Sequence, residues 1–145
     1  MTLTAPPPLA RRYLKASVGF FVYGILIGLH ISAALHLGWG MFRGGYVAAH
    51  THVLLIGFVA MLLAGLALWR FPDPKAGSWV WLPEAAWWLL VLTVLGRSTS
   101  EILTGYFGWR GLGAAVFLVS CLQASALGTL AVHLLRRATA IRAAP

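Results

Sequence analysis

Ala49-His50-Thr51-His52-Val53-Leu54-Leu55-Ile56-Gly57-Phe58 sets two imidazoles at the head of an apolar run that continues to Trp69. A helix that crosses a bilayer needs about 20 predominantly apolar residues. The stretch from Tyr46 to Trp69 has that length and contains no Asp, Glu, Lys or Arg. It reads as a transmembrane helix, and ionisable side chains inside such a helix usually mark a site. The plainer reading is that both histidines sit at the water interface as an amphipathic rim.

Outward from this stretch, the composition agrees with a membrane setting. The chain has 145 residues, of which 60% are hydrophobic and 10% charged, and a mean hydropathy of +0.83. Soluble domains run at about 45–50% apolar. The predicted fold is all-α: a single four-transmembrane-helix bundle with spans at about 16–38, 46–69, 80–102 and 112–135, leaving no soluble domain over. Three breaks separate the spans: Trp39-Gly40-Met41-Phe42-Arg43-Gly44-Gly45, then Phe71-Pro72-Asp73-Pro74-Lys75-Ala76-Gly77, then the glycines at 105, 108, 111 and 113. Pro83 suits the first turn of the third helix, with Glu84 favourable beside its N-terminus. Arg97-Ser98-Thr99-Ser100-Glu101 reads either as a loop or as a polar last stretch of that helix, and Arg97 with Glu101 as a local ion pair. In span one, Gly24 and Gly28 form a small-xxx-small pair that lets another helix approach closely.

The net charge of +8 does not form one basic face, so nucleic acid is not the expected partner. The cations cluster instead at the ends of the apolar runs. Arg11, Arg12, Lys15, Arg70, Lys75, Arg136, Arg137 and Arg142 lie on one side of a four-span arrangement, and Arg43, Arg97 and Arg110 on the other. The positive-inside rule then puts both termini in the cytoplasm. The expected location is a bacterial cytoplasmic (inner) membrane, crossed several times. Residues 1–15 imitate the charged lead of a signal peptide, but the apolar stretch after them is too long for one and reads as an uncleaved first span. The lead-in from Pro6 to Lys15 reads as extended and solvated. Cys121 is alone, which excludes an internal disulfide framework and a cysteine-rich metal site.

The remaining candidates are histidines. With about 1.5 Å of rise per residue, His36 lies about 3 Å, His50 about 6 Å and His30 about 12 Å below the outer ends of their spans. Two residues of helix turn the chain by about 200°, so His50 and His52 point to nearly opposite faces. His50 shares its face with Gly57, Met61 and Ala64 and is expected to face the bundle. His52 shares its face with Leu55, Val59 and Leu63 and is expected to reach for the interface. His133 reads as an interfacial residue beside Arg136. Zinc would ask for more ligands at closer spacing, and copper is equally ill served. Haem needs only one or two axial ligands and an apolar pocket, so haem b fits this composition best. Its propionates would call for Arg43, Arg97 and Arg110, unless these simply snorkel to the surface.

On these residues the chain resembles the first membrane helices of the haem-copper oxidase catalytic subunit, particularly that of nitric oxide reductases and the related high-affinity oxidases. There a helix-two His-Thr-Asn precedes an apolar run with a Gly-Phe pair. Here His50-Thr51-His52 stands in that place and Gly57-Phe58 follows. The chain also looks like small stand-alone oxidase-subunit-like membrane proteins whose second helix carries His-x-His. The resemblance covers spans one and two and implies that His50 is an axial ligand of a low-spin haem b. The family's other low-spin ligand, and its copper or non-haem iron ligands, lie on later helices that this chain lacks, so a complete oxidase or reductase is not expected. A second axial ligand would come from His30, His36 or His52, or from His50 of a symmetric copy. Without one, the iron keeps an open position for O2 or NO. The expectation is a homo-oligomeric haem b protein for electron transfer or gas binding in respiration or denitrification. The alternative is a cofactor-free accessory subunit of a terminal oxidase or nitric oxide reductase.

Overall fold

The computed structural model describes residues 5–40, 44–71 and 81–142. Its described residues form four long helices and no strand. The first, α1, runs Pro8–Leu37 and has a proline in its first turn, where the missing N–H costs nothing. It stops at Gly38, whose φ of 68° is left-handed and favours glycine. The second spans Gly44–Arg70 in three consecutive segments: α2 (Gly44–His52), a π-helical stretch (Val53–Ala60) and α3 (Met61–Arg70). The third, α4, runs Leu82–Phe107, with Pro83 and Glu84 in its first turn. A 3-10 turn (Arg110–Leu112) leads into α5 (Gly113–Arg142).

Three stretches, Pro8–Leu37, Gly44–Arg70 and Gly113–Thr139, are long and apolar enough to cross a membrane. The polarity of the molecule points the same way. Leu29, Leu63, Leu92 and Phe117 are each at least 60% exposed, whereas Ser17, Ser98, Glu101, Gln123 and Arg137 are buried. In water this would waste apolar burial and desolvate polar groups. In lipid it is the favourable arrangement.

Three helix ends reach beyond the spans read in the sequence: α1 begins at Pro8, α4 continues to Phe107 and α5 to Arg142. Arg11, Arg12 and Lys15 are helical, because α1 begins two turns before Ala16; among the described residues the lead-in is residues 5–7. Tyr13 explains the extension: it is fully buried, and its hydroxyl donates to the Pro83 carbonyl at 2.8 Å. At the other end of the molecule, Arg97 to Glu101 continue α4 without a break, so these polar residues lie within a helix and not in a loop.

Helix two (Gly44–Arg70) is central. Helix α1 packs along its whole length, α4 packs on α2 and the π stretch, and α5 packs on α4. Among the described residues α5 makes no close backbone approach to α1, but it also meets α3, and α1 meets α4. Small residues allow the tightest of these contacts. A Cβ at Gly45 would collide with the Glu101 carbonyl, so α2 and α4 meet there backbone to backbone.

Candidate functional site

His50 lies on the seam between α1 and α2. Gly28 leaves room for its ring, since a Cβ there would fall 2.8 Å from His50 Cε1. The His50 Nδ1 is 2.9 Å from the Gly24 carbonyl oxygen. A carbonyl only accepts, so Nδ1 carries the hydrogen, and in the neutral ring Nε2 keeps its lone pair. The two glycines of the small-xxx-small pair therefore do separate things: one exposes its carbonyl to the imidazole and the other makes space for the ring.

His30 lies further along the same seam. Its ring stacks on Tyr46 with centroids 4.9 Å apart, and its Nε2 is buried without a hydrogen-bond partner. His36 is exposed on the last turn of α1. Among the described residues no three His, Cys, Asp or Glu side chains are grouped to hold a metal ion. No three of His30, His36, His50 and His52 are therefore gathered into one such group.

His52 does not reach for the interface. It turns inward to α4, where its Nδ1 lies 3.1 Å from one Glu101 carboxylate oxygen and 3.2 Å from the other. The continuation of α4 through Glu101 is the physical reason, because it carries a carboxylate to the level of His52. The Glu101 side chain is only 9% exposed and also accepts from Arg97 Nε at 3.0 Å. Arg97 in turn donates to Gln123 Oε1 on α5 at 3.2 Å. The result is a partly buried polar chain, His52–Glu101–Arg97–Gln123, across three helices. Its last atom, Gln123 Nε2, is buried without a partner.

This chain lies deep. Arg97 is ten residues from the end of α4 at Phe107, about 15 Å along the axis, and its guanidinium is engaged by Glu101 and Gln123. Arg110 opens the 3-10 turn before α5. Arg43 lies outside the described residues.

The sequence did not reveal the partners. Arg97 and Glu101 are legible as an i, i+4 pair and Gln123 as a polar residue in an apolar window, but nothing in the spacing joins them to His52. The opposite end differs in kind. Arg12 and Glu84 pair at 2.6 Å in an exposed position. His133, read as interfacial, is instead buried: its Nε2 accepts from Arg137 Nε at 2.8 Å, and Arg137 also donates to the Phe71 carbonyl at 2.9 Å. Carbonyls at a helix end lack intrahelical partners, and Arg137 from α5 supplies one at the end of α3. Comparison of the chain with protein-family models, curated proteins and solved structures found no match.

Proposed function

We propose that this chain is a haem b protein of the membrane, with His50 as an axial ligand, serving electron transfer or the binding of O2 or NO in respiration or denitrification. The observation that carries this reading is the state of the His50 ring. Metal-ligating histidines usually donate the other ring N–H to a carbonyl or carboxylate, which fixes the tautomer and raises the basicity of the ligating nitrogen. His50 has that arrangement, with Nδ1–H on the Gly24 carbonyl. The donor set suits haem, which needs a single imidazole where other metals need several ligands. When bound, haem would supply one-electron exchange or a coordination position for a diatomic gas. Arg43 and Arg110 are the propionate partners in this reading, since Arg97 is held by Glu101 and Gln123. A four-span topology in the inner membrane, cytoplasmic termini and a homo-oligomer complete the proposal.

The visible spectrum of the protein purified in mild detergent tests this directly. A Soret band is expected, and His50→Ala should abolish or shift it. Absence of the band even after haem reconstitution overturns the proposal, and a band unchanged in His50→Ala overturns the ligand assignment. One observation favours a second reading, a cofactor-free accessory subunit of a larger oxidase or nitric oxide reductase. The one candidate propionate cation whose side chain is described is already neutralised by Glu101. Co-purification with a larger reductase subunit, without haem in this chain, would support that alternative.

A further inference from the structure

Helix two is anchored to its neighbours on both sides of the π-helical stretch Val53–Ala60. Before it, Ala49 is fully buried, Gly45 meets the Glu101 backbone, His50 bonds the Gly24 carbonyl and His52 bonds the Glu101 carboxylate. After it, Met61 is fully buried and Gly65 lies against α1, where a Cβ would stand 3.0 Å from Leu14 Cδ2 and 3.1 Å from Tyr13 Cβ. Whatever rotation the π stretch introduces is therefore held between two fixed ends.

That rotation amounts to one residue. Each residue of an α-helix turns the chain by about 100°, so the step of twelve residues from Ala49 to Met61 would overshoot whole turns by about 120°. Ala49, Val53, Gly57 and Met61 are nevertheless all buried. One extra residue wound into the wider i→i+5 turn removes about 100° and returns the four to one face. Such turns are rare and recur at functional sites, and this one follows directly on the two histidines. With α3 fixed, the same sequence wound as an α-helix throughout would advance α2 by one position. Thr51 would stand where His50 stands, Val53 where His52 stands, and the His50 ring at the place of Ala49, now filled by a fully buried methyl group. The Gly24 carbonyl would face a threonine, and Glu101 would keep Arg97 alone.

We propose that the π stretch is a positioning device: it stores one extra residue and thereby aims His50 at α1 and His52 at α4. The flanking helices are in register with their neighbours only because that residue is stored between them. This inference rests on helix packing and not on haem, so it stands or falls apart from the visible spectrum.

Single-residue deletions in the full chain, read as thermal unfolding in detergent, test it. Removing one residue from a packed transmembrane helix turns everything beyond it by about 100° and shifts it by about 1.5 Å. Deletion of Leu55, a lipid-facing residue of the π stretch that is 58% exposed, should instead convert the stretch to α-helix with both flanks in place. Its unfolding midpoint is expected within about 3 °C of that of Leu55→Ala, which removes the side chain but not the residue. Deletion of Leu63, 60% exposed in α3, should lower the midpoint by at least about 10 °C relative to Leu63→Ala. His52→Ala should lower the midpoint by the same amount in the wild type and in the Leu55 deletion, since His52 still meets Glu101 in both. A Leu55 deletion as harmful as that of Leu63 overturns the proposal, because no residue is then in excess. So does a Leu55 deletion in which His52→Ala has lost its effect, because the helix has then settled in another register.

Discussion

Glu101 holds two side chains from different helices, His52 at 3.1 Å and Arg97 at 3.0 Å, and is itself almost wholly buried. Removing one partner of a buried pair leaves an uncompensated charge, which is far more costly than the net value of the pair. Glu101→Ala is therefore expected to destabilise the protein by about 3 kcal/mol, measured as thermal unfolding in detergent. The double variant with Arg97→Ala should be less destabilised than Glu101→Ala alone, because no guanidinium is then stranded. A double variant as unstable as the sum of the two single variants would show that the charges do not interact. At Gly28 the argument is steric. A side chain there meets the His50 ring, so Gly28→Leu should force the imidazole away from the Gly24 carbonyl and cost about 1–3 kcal/mol as overpacking does. If haem is bound, its Soret band should shift in the same variant. The glycine pair was legible in the sequence as a place of close approach. That the approaching group is an imidazole was not, since it depends on the register between two helices.

At the scale of the element, helix two shows why its buried face could be read in outline although its geometry could not. Buried positions recur every fourth residue through Ala49, Val53, Gly57 and Met61. In an ideal α-helix a strict fourth-residue repeat drifts around the axis. Here the segment Val53–Ala60 is π-helical, with the wider i→i+5 turn, and absorbs part of that drift. Hydrophobic pattern alone does not announce such a stretch, because every side chain from Val53 to Ala60 is apolar or glycine. The polar end of α4 was ambiguous for a related reason: Arg97-Ser98-Thr99-Ser100-Glu101 resembles a loop until its partners on α2 and α5 are known. Contact between α2 and α4 rests on Gly45, whose Cα faces the backbone of Glu101. Gly45→Leu should separate the two helices and break the His52–Glu101 bond. It should lower the unfolding midpoint at least as far as Glu101→Ala does; a midpoint like that of the wild type would refute the backbone contact.

The molecule as a whole carries large apolar side chains on its outside and a few polar groups within an apolar core, and the apolar exterior follows from composition and the lengths of its apolar runs. Its cross-section does not, because which helix lies beside which depends on glycines and buried polar links that no periodicity records. Orientation is open to a direct test with the native thiol removed by Cys121→Ser. A cysteine at Ala5 or Arg142 should react with a membrane-impermeant maleimide only from the cytoplasmic side; labelling from the other side would reverse the proposed topology. The exposed pair between Arg12 and Glu84 should matter little, and Glu84→Gln is expected to change stability by less than about 1 kcal/mol. The two histidines of helix two have a different consequence. An apolar helix in an apolar solvent has no preferred rotation about its own axis, since every face is equally content with lipid. His50 bonds the α1 carbonyl of Gly24, and His52, facing away from it, bonds the α4 carboxylate of Glu101. Held from opposite sides two residues apart, the central helix cannot spin without breaking one bond or the other, and its angular setting is specified by a pair of opposed polar tethers.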